Sequence, residues 1–220
     1  YGAPYALVDC PDHAVNGAGG VLETVLSGRP THDPVGWPTF KDWPAYDSLT
    51  HEQSYYKWVE RAWMGGLRLF VNLMVDNAAL CDIYPFKANR PEPCHEMATV
   101  RLEIKRILEL QNYIDAQEGG PGEGWFRIVE NPYEAREVIN EGKLAVVLGI
   151  EISSLFDCSE LHDIPQCDRK QIDDQLNEMH DAGIRQMEFV NKFDNALAGV
   201  AGDSGVTGPI VNTGNFLKTG

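Results

Sequence analysis

Residues 67–75 and 143–150 are apolar for most of their length, without the alternation that marks a strand with one wet face. Strands of this kind need cover on both sides, and a parallel sheet flanked by helices provides it. Three shorter runs, at 5–9, 125–129 and 184–190, read as further strands. Helical patterns alternate with them. Residues 97–117 place Val100, Ile104, Ile107, Leu108 and Ile114 on one stripe. Shorter helices are expected at 51–64, at 132–141 behind Pro132, and at 169–182 before Gly183. Strand and helix in turn predict βαβ units. About five strands are present where a closed barrel needs eight. The expected fold is therefore α/β, the N-terminal portion of a (β/α)8 TIM-like barrel, with 1–220 as a single domain.

Residues 27–47 interrupt the pattern with Pro30, Pro34, Pro38 and Pro44 among Trp37, Phe40 and Trp43. The prolines exclude a helix and the aromatics argue against a disordered linker, so an ordered, lid-like loop is expected.

The 33 acidic residues against 18 Lys and Arg give a net charge of −15. This excludes a nucleic-acid partner, which needs a basic face. No apolar run is long enough to span a membrane. Of the five cysteines, Cys81 and Cys94 bracket one polar, proline-bearing loop, and Cys158 and Cys167 bracket another. Two disulfides are expected, with Cys10 left over, and with them a secreted or extracellular chain whose signal peptide has been removed. A Cys/His metal site using His95 or His162 is the weaker reading, because no C-x-x-C pair occurs.

Ligands of parallel α/β folds bind at the carboxyl ends of the strands. Polar residues follow every run here: Asp9, Asp12 and His13; Asp76 and Asn77; Glu130 and Asn131; Glu151; and Asn191, Asp194 and Asn195. Glu151 is the sharpest candidate, because burial at the mouth of the core raises a carboxylate pKa unless a cation compensates. It is the expected catalytic residue. Its structural alternative is an ion pair with Arg185 or Arg68. His13 and Asp12 are candidate metal ligands with Glu151, and Asn191, Asp194 and Asn195 are candidate substrate-binding residues.

Several stretches carry a resemblance: Trp43-Pro44 with Leu49-Thr-His-Glu-Gln53, Trp58-Val-Glu-Arg-Ala62 with Gly65-Gly-Leu-Arg68, Leu148-Gly-Ile-Glu151, and Gly183-Ile-Arg185 through Asn191-Lys-Phe-Asp-Asn195. The chain resembles amidohydrolase-type barrels related to membrane dipeptidase, as found in large exported bacterial proteins with a discoidin-type domain. The resemblance implies a hydrolase of an amide, peptide or ester bond. It also implies a divalent metal, zinc, and places Glu151 at the bridging carboxylate. The first strand departs from the family pattern, since Pro11 stands where the first histidine of a His-x-His motif would fall. The remainder of the same precursor, or a second chain, is expected to complete the barrel around a small-molecule or peptide substrate. A metal-free barrel serving as a carbohydrate- or protein-binding scaffold, with Trp37, Phe40 and Trp43 as its stacking surface, is the alternative.

Overall fold

The computed structural model describes residues 56–83, 94–202, 204–205 and 208–219. The expectations for Cys10, Asp12, His13, the first strand and the 27–47 loop lie outside these residues. The chain divides between Gly66 and Leu67 into two units. In the first, helix α1 spans Tyr56–Met64.

The second unit follows the expected alternation. Strand β1 (Leu69–Asp76) leads to a short helix α2 (Ala78–Ile83) and the long helix α3 (Glu96–Gln117). Then come β2 (Phe126–Ile128), α4 (Pro132–Asn140) and β3 (Leu144–Ile152). A small hairpin, β4 (Glu160–Leu161) and β5 (Ile164–Pro165), precedes α5 (Arg169–Asp181) and β6 (Ile184–Met187). Helix α6 (Gly208–Thr219) closes the unit.

The sheet is mixed with helices in an α/β arrangement, and its strands are parallel. β3 is central. One edge pairs with β1 from Ala145 to Ile152. The opposite edge pairs first with β2, at Leu144 to Val146, and further along with β6, at Leu148 to Ile150. The four strands therefore do not close a barrel among the described residues.

In-register residues of parallel strands project from the same face. Phe70, Asn72, Met74 and Asp76 share a face with Val146, Leu148, Ile150 and Ile152, and α3 packs across it. These β3 side chains and Met74 are buried. At roughly 1.5–3 kcal/mol per buried aliphatic side chain, this face supplies much of the core. The other face carries Leu69, Val71, Leu73 and Val75 beside Ala145, Val147, Gly149 and Glu151. Here Leu69 is 52% exposed, Val71 37% and Val75 47%. Leu73 lies across Gly149, where an added Cβ would come within 2.7 Å of Leu73 Cδ2.

Local chemistry sets the helix boundaries. His95 caps α3, its Nδ1 accepting the Ala98 N–H at 3.2 Å, and Asn131 caps α4 by accepting from Tyr133 and Glu134. Asp168 caps α5 through Gln171 N–H at 2.8 Å.

The two expected disulfides are present, Cys81–Cys94 with Cα atoms 5.4 Å apart and Cys158–Cys167 at 4.9 Å. Among the described residues no helix is long and apolar enough to cross a membrane. Two sequence expectations need correction. The strand expected at 143–150 continues to Ile152, so Glu151 lies inside it and does not follow it. The strand expected at 184–190 ends at Met187, so Glu188 lies just past it.

Candidate functional site

The carboxyl ends of β1, β3 and β6 gather two sets of polar residues, one on each face of the sheet. On the less covered face stands Glu151. Its neighbour just past β6 follows from the register: Ile150 pairs with Met187, and Glu188 donates its N–H to the Ile150 carbonyl at 2.9 Å. Glu188 is thus brought level with Glu151, close enough for its charge to act on that carboxyl. Burial pushes the Glu151 carboxyl above its ordinary value, the negative charge of Glu188 pushes it further, and the Lys192 ammonium acts in the opposite direction.

Lys192, whose charge acts on Glu151, has an unusual backbone. Its φ of 66° lies in the left-handed region, uncommon for a residue with a long side chain. The loop on either side is pinned to compensate. Phe193 N–H bonds the Asn191 carbonyl at 2.8 Å, and the Ser153 hydroxyl donates to that same carbonyl. Ser153 lies two residues beyond Glu151, so the strand that presents Glu151 also anchors the loop that presents Lys192.

The second set is a network on the helix-covered side. Glu96, in the first turn of α3, accepts the Ala78 N–H at 2.8 Å and the Ser154 N–H, and Lys218 Nζ of α6 lies 3.7 Å away. Asp76 accepts from the Thr99 hydroxyl and the Asn77 N–H, and the Asn77 side chain donates to Ser153 Oγ at 3.2 Å. These contacts tie the ends of β1 and β3 to α3.

The residues singled out from sequence divide between the two sets. Asn191 contributes its carbonyl to the loop anchor. Asn195 is buried and wholly engaged: Nδ2 donates to the Ser153 and Phe189 carbonyls at 2.7 Å each, and Oδ1 accepts from Leu197 and Ala198. Asp194 accepts from Val200 N–H at 2.6 Å and from the Asn215 side chain at 2.9 Å. These residues shape the loop beside Glu151. Glu130 pairs with Arg185, whose Nε donates to the Glu130 carbonyl at 3.0 Å, so Arg185 is engaged away from Glu151. Arg68 Nη1 donates to the Leu67 carbonyl at 2.9 Å.

Sequence reasoning missed Glu188 and the role of Lys192. The signal was a charged residue inside the run at 184–190, which at period two falls on the same face as Gln186.

Among the described residues no group of three His, Cys, Asp or Glu side chains is placed to hold a metal. No family model, no curated protein and no solved structure matches the chain.

Proposed function

We propose that this chain carries the carboxyl-end site of a barrel-type hydrolase acting on an amide, peptide or ester bond, with Glu151 as the proton acceptor. The observation that supports it best is the environment of Glu151, a half-buried carboxylate raised by burial and by a like charge. A carboxylate so raised is a stronger base toward water than a solvated one. In this reading Glu151 takes a proton as the water oxygen attacks the carbonyl carbon. The bond to the leaving nitrogen or oxygen then breaks, and Glu151 returns the proton to it. The Lys192 ammonium supplies positive charge for the developing oxyanion.

The zinc ion implied by the resemblance would draw on Asp12, His13 and Glu151. The described residues by themselves do not fit it: they offer two neighbouring carboxylates with a lysine beside them, short of a three-ligand set. No step is therefore routed through a metal.

The exposed Leu69, Val71 and Val75 favour further strands covering this face, from the same precursor or a second chain. The two disulfides favour an oxidising, extracellular compartment.

The test is hydrolysis of a panel of dipeptides, N-acyl amino acids and aryl esters by the wild-type chain and Glu151→Gln. Turnover by the wild type, lost in a variant that retains its circular dichroism spectrum, supports the reading. Turnover that survives in the variant contradicts it. No turnover by the wild type, with retention on immobilised glycans or peptides, would support the binding module in its place.

A further inference from the structure

Helix α6 makes its polar contacts with the loop that presents Lys192 and with the network behind it. The Asn215 side chain meets Asp194 twice: Oδ1 accepts the Asp194 N–H at 2.7 Å and Nδ2 donates to Asp194 Oδ2 at 2.9 Å. One turn further on, Lys218 sits 5.6 Å from the centre of the Phe193 ring and 3.7 Å from Glu96. Its side chain is only 16% exposed, and its ammonium makes no hydrogen bond among the described residues. Gly214 lets the helix approach: a Cβ there would stand 2.9 Å from Phe193 Cε1. The Thr219 carbonyl accepts the His162 N–H at 2.6 Å, joining the helix end to the hairpin.

The helix spends intrinsic stability on this placement. Gly214 lies in its interior and costs about 1 kcal/mol relative to alanine. Phe216 and Leu217, at 68% and 76% exposed, contribute little burial in return. What α6 grips is Phe193 and Asp194, the two residues that follow Lys192.

We propose that α6 is a clamp on the Lys192 loop and that Asn215 is a positioning residue, acting through Asp194 to hold Lys192 beside Glu151 and Glu188. The left-handed conformation at Lys192 persists only where its surroundings over-determine it. Ser153 fixes the Asn191 side, and Asn215 with Gly214 fixes the Phe193–Asp194 side. Release of the second hold lets Lys192 relax to a right-handed or extended backbone and withdraws its charge from the carboxylate pair. This inference rests on the reading of Glu151, Glu188 and Lys192 as the site. It does not require that the site be hydrolytic.

The test compares Asn215→Ala and Asn215→Asp with the wild-type chain. The first removes both bonds to Asp194. The second keeps the shape but sets a carboxylate against the Asp194 carboxylate. Acetylation by N-hydroxysuccinimide acetate, followed residue by residue by mass spectrometry, reads the surroundings of Lys192, with exposed Lys105 on α3 as the internal reference. Hydrogen exchange reads the loop at Phe193, Asn195 and Val200. The clamp predicts that Lys192 acetylation, normalised to Lys105, changes several-fold, more in Asn215→Asp than in Asn215→Ala. It also predicts at least tenfold faster exchange at those three amides, with the β3 amides unchanged. Asn215→Ser, which keeps one acceptor for the Asp194 N–H, should fall between wild type and Asn215→Ala. Unchanged Lys192 acetylation in both variants, despite faster exchange in α6 itself, would overturn the proposal. Should a variant lose the fold, the same labelling of Gly214→Ala decides between these outcomes. Neither readout uses turnover, so a failure of the hydrolase reading remains distinct from a failure of the clamp.

Discussion

Glu188 is held level with Glu151 by one backbone bond, its N–H to the Ile150 carbonyl at 2.9 Å. A slip of one residue between β6 and β3 would break that level pairing, because register fixes which residues stand opposite one another. Two like charges this close are unfavourable, and the backbone pairing holds them there nonetheless.

That cost gives the first prediction. The folded-state pKa of Glu151 is raised above its ordinary value of 4.5 by burial and by Glu188. Its contribution to stability is therefore full below that value and is lost as pH rises through the raised folded pKa. Glu151→Gln should be more stable than wild type at neutral pH and should show a flatter pH dependence above pH 4.5. Urea unfolding at intervals from pH 4 to 8 checks it. A variant less stable than wild type at pH 7 would mean that Glu151 is compensated by a partner.

Asn195→Ala should cost about 2–4 kcal/mol, because it strands a buried carbonyl of Ser153 together with a part-buried carbonyl and two part-buried N–H groups that Asn195 satisfies. Denaturant unfolding measures it. A cost under roughly 0.5 kcal/mol would place Asn195 among ordinary surface positions and free it for a substrate.

Peptide mapping without reduction should recover Cys81 linked to Cys94 and Cys158 linked to Cys167. Opening either loop by a double Cys→Ser change should cost about 2–3 kcal/mol at sequence separations of 13 and 9. A Cys81–Cys158 peptide would contradict the arrangement.

Val71→Asp tests whether the second face of the sheet is covered in the intact chain. Val71 is 37% exposed among neighbours that are also apolar. If further strands pack there, the buried charge should cost about 3 kcal/mol or more in thermal or denaturant unfolding. A change within about 0.5 kcal/mol would mean that the face meets water.

The alternation of helices and strands in the second unit was legible because unbroken apolar runs such as 143–150 have few other uses in a globular fold. The disulfides were legible from loop spacing and composition. The hairpin was not, since β4 and β5 have two residues each, and its turn at His162 and Asp163 uses left-handed backbone without glycine. Helix α6 was missed for a related reason: Gly208, Pro209 and Gly214 argue for a loop, and packing against Phe193 overrides that local preference. At the site, Glu151 was visible as a charge ending an apolar run. Glu188 and Lys192 were not, because their relation to Glu151 depends on the β3–β6 register and on a single left-handed residue.

The pH–rate profile of the hydrolytic reaction, measured for wild type, Glu188→Gln and Lys192→Met, tests the central claim most directly. If ionised Glu151 is the base, the rate falls on acidification along a limb set by Glu151, above the ordinary carboxylate value of 4.5. Glu188→Gln removes a charge that raises this limb and should move it down. Lys192→Met removes the charge that lowers it and should move it up. A limb that both variants leave in place, or a rate independent of pH over this range, would contradict the assignment of Glu151 as the base.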